Sequence, residues 1–133
     1  MKKMNPVVHF ELPARDRKRM VDFYSGVFGW QAQILGEEMG NYVTVSTVES
    51  DENGRPKNPG GINGGLYPVR EGENDHHPSL VIAVEDILDS IRRVTEAGEK
   101  ILGKSTLIPG IGEYVSFIDT EGNTLSILQP LMR

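Results

Sequence analysis

The chain repeats itself, and that constrains its fold more than any other feature. His9 and Ser79 each open a short apolar alternation and stand 70 residues apart, as do Asp16 and Asp86, each ahead of a helical pattern. Gly29 and Gly98, which close those patterns, are 69 apart, and Asn41-Tyr-Val-Thr-Val45 matches Glu113-Tyr-Val-Ser-Phe117 at 72. Tyr67-Pro68 and Gln129-Pro130 end the two copies at an offset of 62, shorter because the loop before the first is longer. A period held across a whole supersecondary unit marks a duplicated module.

Each copy reads as β-α-β-β-β. Val8, Phe10 and Leu12 alternate with His9, Glu11 and Pro13, the period of a half-buried strand. Asp16 is an N-cap for a helix bearing Met20, Val21, Phe23, Tyr24, Val27 and Phe28 at three-to-four spacing, and Gly29 stops it. Trp30 to Leu35 and Asn41 to Val48 read as the next two strands. Ser50 to Gly65 is rich in Gly and Pro and reads as a long loop entering a short strand at Leu66-Tyr67. Glu71 to Pro78 is charged and reads as a linker.

In the second copy Leu80, Ile82 and Val84 form the strand, and Asp86 caps a helix with Ile87, Leu88, Ile91 and Val94. Ile101 to Leu107, Tyr114 to Ile118 and Thr124 to Leu128 follow as strands, the last two joined by the hairpin signal Asp119-Thr-Glu-Gly122-Asn123. The expected fold class is α+β: one domain over residues 1–133, with tandem modules at 6–70 and 78–131. A ferredoxin-like sandwich would leave the second module's matching strand-turn-strand ending without a reason.

Composition narrows the function. The net charge is −5 and the 14 Lys and Arg are scattered, so no concentrated basic face for nucleic acid or an anionic membrane is expected. There is no cysteine, which removes disulfides, thiolate nucleophiles and Cys-based metal sites. The opening Met1-Lys-Lys-Met-Asn-Pro6 is followed by alternation, not by the apolar run of a signal peptide, and nothing approaches transmembrane length. A cytoplasmic protein is expected.

Val8-His9-Phe10-Glu11-Leu12-Pro13, Asp16, and Phe23-Tyr24-Ser-Gly-Val-Phe28-Gly29-Trp30 resemble the opening of the vicinal-oxygen-chelate superfamily. Phe117-Ile-Asp119-Thr-Glu-Gly122-Asn123-Thr-Leu-Ser-Ile-Leu128 resembles its closing signature, so the likeness spans nearly the whole chain. The superfamily includes glyoxalases, bleomycin-resistance proteins and extradiol dioxygenases. The resemblance implies two βαβββ modules forming a curved mixed sheet around a shared small-molecule cleft, often completed by a second subunit, and hence a homodimer. It also implies a divalent metal held by one side chain from the first and last strand of each module. Carried over by position those places are His9, Gly64 or Gly65, Ser79 and Ser126. The family has His or Glu at the last three, and this sequence has neither. One imidazole and two neutral serines fall short of the three or more strong donors that such a metal wants. The expectation is therefore no metal and no other cofactor.

The candidate site residues follow from the strand period. His9 and Glu11 share a face, opposite to Phe10 and Leu12, and should line the cleft as an acid–base pair or a ligand anchor; the plain alternative is a polar pair satisfied by neighbouring strands. Ser79 and Ser126 would hydrogen-bond a ligand or fill space, since no nucleophile elbow surrounds either. Tyr42 and Tyr114 occupy matching places and read as core or interface residues, though a tyrosine there, Tyr114 above all, could stack on or hydrogen-bond a ligand. Gly64 and Gly65 end a flexible lip without the Lys-Ser/Thr of a phosphate loop, and Gly65 would let a ligand or another backbone approach. Ile108-Pro109-Gly110-Ile111-Gly112 would be the matching lip. His76 and His77 point to opposite sides of an extended segment and read as solvated linker.

The reading these residues favour is a protein that binds a small organic molecule without the family's metal. One rival is a metal-dependent lyase or dioxygenase using His9, Glu11 and His76 or His77. Another is a non-catalytic regulatory module whose partner is a protein.

Overall fold

The computed structural model describes residues 4–69 and 77–131. His76 and most of the predicted linker lie outside them. The chain has α+β architecture and divides into two compact units, His9–Pro78 and the remainder, in which residues up to Val8 group with Ser79 onward. That division falls inside the first strand, eight residues from the start of the chain. The Pro6 carbonyl accepts the Ala83 amide at 2.9 Å, which ties the strand's approach to the second unit.

The first module runs β1 (Val7–Ala14), α1 (Arg17–Phe28), β2 (Gln31–Ile34), a single 3-10 turn (Glu37–Met39), β3 (Val43–Ser46) and β4 (Asn63–Pro68). Its strand order is β2-β3-β4-β1, with β1 parallel to β4 and the other pairs antiparallel. Asp16 caps α1 by accepting the Arg19 amide at 3.0 Å, and Gly29 ends it in the left-handed region at φ 73°. The core is Ala14, Val43, Val45 and Leu66, against which Phe10, Leu12, Met20, Val21, Trp30 and Ala32 pack. Each fully buried aliphatic side chain contributes roughly 1.5–3 kcal/mol. The α1 stripe splits: Met20 and Val21 reach this core, while Phe23, Val27 and Phe28 stay exposed.

The second module runs β5 (Ser79–Ala83), α2 (Ile87–Glu96), β6 (Lys100–Ile108), β7 (Gly112–Ile118) and β8 (Thr124–Pro130). Its order is β5-β8-β7-β6, again with one parallel pair, β5 with β8. Asp86 caps α2 through the Asp89 amide, and Ile87 enters a core of Val84, Val115 and Ile127. The Asn123 side-chain amide and the Asn123 and Glu121 backbone amides each donate to the Asp119 carboxylate at 2.9 Å, which fixes the predicted hairpin turn and holds that carboxyl below the usual range.

Two expectations change. The Gly-rich stretch is not a lip to its end, because Asn63, Gly64 and Gly65 are buried members of β4. Asn63 anchors the loop before it, accepting the Thr47 amide and donating to Ser50 Oγ and the Gly54 carbonyl. Its partner at Ile108 to Gly112 is a tight hairpin closed by Ile111 N–H to Ile108 O at 3.0 Å. Register also refines the repeat. Thr44 opposes Gly65 as Ser116 opposes Ser126, so the last strands match at an offset of 61 rather than 62, and Gly65, not Gly64, is the counterpart of Ser126.

Candidate functional site

On β1 the alternation does what its period requires: Phe10 and Leu12 pack on the core, and His9 and Glu11 share the other face. A third side chain joins them. The Tyr42 hydroxyl donates to Glu11 Oε2 at 2.9 Å and lies 3.0 Å from His9 Nε2. A phenol has one proton, and here Glu11 receives it. His9 Nε2 must then be the donor to the Tyr42 oxygen, which fixes neutral His9 as the Nε2–H tautomer and leaves the Nδ1 lone pair as its base. Among the described residues Nδ1 has no hydrogen-bond partner. Burial lowers the His9 pKa from 6.5, against a smaller upward pull from Glu11, so the neutral form prevails at neutral pH.

Tyr42 reaches this position because Gly65 lies beneath it. Gly65 pairs with Glu11 on β1 and Thr44 on β3, and a Cβ there would overlap the Tyr42 hydroxyl. The backbone around Tyr42 is held from outside β3. Arg17 Nη1 donates to the Leu35 and Asn41 carbonyls at 3.1 and 3.0 Å, and the Leu35 amide donates to the Tyr42 carbonyl at 2.9 Å. Asn41 turns the chain with φ 57°, a left-handed conformation that asparagine tolerates.

The second unit carries a different polar group. Ser126, 2% exposed, donates to the Tyr114 hydroxyl at 2.7 Å, and Ser116 Oγ lies 2.9 Å from Ser126 Oγ. With the Ser126 proton committed to Tyr114, Ser116 is the donor to Ser126. Ser79 stands apart from this group, donating to the Thr124 carbonyl at 2.8 Å. His77 offers its backbone carbonyl to the Tyr67 hydroxyl at 3.3 Å.

The structure thus joins His9 and Glu11 above Gly65, and separately joins Ser126 and Tyr114. Ser116 and Arg17 carry no signal as site residues in the sequence, and Tyr42 enters it only as the match of Tyr114. Tyr42 was legible in part: a tyrosine matching Tyr114, facing a glycine where the other copy has a serine, has room that its counterpart lacks.

The donor set does not fit the divalent metal that the fold family implies. Of the four positions, His9 Nε2 is engaged by Tyr42, Gly65 has no side chain and its space is filled, and both serine hydroxyls are engaged within their own unit. Among the described residues no group of three His, Asp or Glu side chains is placed to hold a metal ion.

Two βαβββ modules, each with its first and last strands paired in parallel, place the chain in the glyoxalase-like class. The chain belongs to the Glyoxalase/Bleomycin resistance protein/Dioxygenase superfamily, whose family model matches residues 7–127. A glyoxylase-like domain-containing protein of Didymella fabae is 31% identical over 124 residues, covering 88% of each chain. Among solved structures, a hypothetical protein from Bacillus halodurans C-125 has a TM-score of 0.71 at 14% identity, over 98% of both chains. A Streptomyces coelicolor methylmalonyl-CoA epimerase variant, in complex with 2-nitronate-propionyl-CoA, has 0.70 at 15%, over 98% of this chain and 97% of its own. At such identities these structures establish the fold.

Proposed function

We propose that this protein binds a small organic molecule at the His9–Tyr42–Glu11 face of β1, without a divalent metal. The observation that carries the reading is the Tyr42 hydroxyl, seated over Gly65 and bridging His9 to Glu11. It fills the space of one expected ligand and occupies the ring nitrogen of another. The bridge also gives the site a chemistry of its own. A bound molecule that gives a proton to His9 Nδ1 creates an imidazolium, which the Glu11 carboxylate stabilises through the Tyr42 hydroxyl. The site can therefore anchor a polar ligand and accept a proton from it. That a structurally similar protein was captured with a propionyl-CoA nitronate supports small-molecule binding by this fold.

Two companion readings belong with this one. A homodimer is supported by the outer strands β2 and β6, which end their strand orders with unpaired edges, and by exposed Ile34 and Leu107 upon them. A cytoplasmic setting is supported by the lack of cysteine; no helix among the described residues is long and apolar enough to cross a membrane.

Elemental analysis of untagged protein, purified without chelators, tests the metal-free reading, and small-molecule titration monitored at the His9 ring tests the site. The expected results are far less than one metal per chain and ligand-dependent shifts of His9 that vanish in Tyr42→Phe. Near-stoichiometric zinc, nickel, manganese or iron that disappears in His9→Ala would overturn the reading in favour of a metal enzyme.

A further inference from the structure

A groove that none of His9, Tyr42 or Glu11 lines opens where β1 passes into α1. Its volume is about 470 Å3, within the range of roughly 300–1,000 Å3 typical of small-molecule sites. Its apolar lining comes from Pro13, Met20, Phe23 and Tyr24, and Arg15 and Arg19 border it. Phe23 is 53% exposed and meets Tyr24 edge-on, with ring centroids 5.0 Å apart at 83°, so the two rings form a corner. Trp30 stacks on the Tyr24 ring at 4.5 Å and 11°.

The polar groups of this groove are not spent on the protein. Among the described residues, neither Arg15 nor Arg19 has a side-chain hydrogen bond or a carboxylate partner, and the half-buried Tyr24 hydroxyl has no hydrogen bond. The one acid present, Asp16, is turned to the backbone as the cap of α1. Other arginines of the chain are engaged: Arg17 binds two carbonyls, and Arg92 and Arg93 both pair with Asp89. Two unpaired guanidinium groups beside an apolar corner, in a chain of net charge −5, are complementary to an aromatic anion.

We propose that this groove binds a small aryl carboxylate. Its ring packs against Phe23 and Pro13, its carboxylate accepts from Arg15 and Arg19, and the Tyr24 hydroxyl donates to it. The probe is 2-naphthoate, titrated into the full chain by calorimetry and by fluorescence of Trp30, the single tryptophan, which the stack on Tyr24 couples to the groove. Saturable binding at one site per chain is expected. Arg15→Gln and Arg19→Gln should each weaken it about tenfold, the scale of one charge-assisted hydrogen bond. Tyr24→Phe should weaken it about threefold, Arg19→Lys should restore part of the loss, and His9→Gln should leave it unchanged. The neutral analogue 2-naphthalenemethanol should bind at least about tenfold more weakly. No saturation at millimolar naphthoate, equal affinity for the neutral analogue, or a loss in His9→Gln with none in the arginine variants would each overturn the proposal.

Discussion

The two modules place a tyrosine at matching positions and use it differently. In the first, Tyr42 passes over Gly65 and reaches β1, where it bridges His9 and Glu11. In the second, Ser126 stands where Gly65 stood, and its hydroxyl meets Tyr114 at 2.7 Å. The strand beyond differs in step: the counterpart of Glu11 in the β5–β8 register is Val81, which is 1% exposed. The CH2OH side chain of Ser126, absent at Gly65, therefore separates a tyrosine that serves the first strand from one that stays with β7 and β8. The duplicated backbone is shared; the presence or absence of a Cβ decides where the phenol goes.

Gly65→Ser is the sharpest way to break this difference, since it gives the first module the residue of the second. The new Cβ overlaps the Tyr42 hydroxyl, so Tyr42 must leave its two partners. Overpacking together with two broken hydrogen bonds should cost roughly 2–4 kcal/mol. Denaturant midpoints and the His9 ring signals of the variant check this; an unchanged His9 environment would refute the assignment of Gly65 as the residue that admits Tyr42.

Tyr42→Phe keeps the ring over Gly65 and removes only the bridge. The loss should be about 1–2 kcal/mol, because His9 and Glu11 are half-buried and water can replace part of what they lose. Ligand effects at His9 should disappear with it, as titration by NMR would reveal. Ser126→Ala is the corresponding change in the second module. It removes the hydroxyl that bonds to both Ser116 and Tyr114, for about 1 kcal/mol by urea unfolding, with the His9 signals unmoved.

The smallest expected effect is a pH dependence confined to the first module. The folded His9 pKa lies below the unfolded value of 6.5, so the unfolded chain takes up its proton first. Stability is fully present above pH 6.5 and is lost as the pH falls from there through the lowered pKa, then levels off. Comparing thermal midpoints of wild type and His9→Gln between neutral and mildly acidic pH isolates this contribution. A dependence of equal size in His9→Gln would assign it to other groups.

Much of the fold was legible because its signals are local. Period-two alternation at Val8 to Leu12, the Asp16 and Asp86 caps, and the Gly29 stop act within a few residues of chain, and each appears where the sequence places it. The 3-10 turn at Glu37–Met39 was missed because no periodicity marks three residues. The start of β4 was placed late because Gly64 and Gly65 read as loop when their neighbours are not known. In the sheet the same glycines are buried beneath Phe10 and Tyr42.

The site divides in the same way. That His9 and Glu11 share a face is a property of one strand, so the sequence alone determined it, together with the duplicated βαβββ plan and the absence of thiol chemistry. That Tyr42 joins them was decided only by tertiary structure. It depends on a residue 33 positions from His9, on Gly65 from a third strand, and on Arg17 holding the turn from a helix. The spacing of residues along a strand is set by covalent geometry, which every sequence carries with it. The meeting of residues from distant parts of the chain is set by register and packing, and those exist only once the chain has folded.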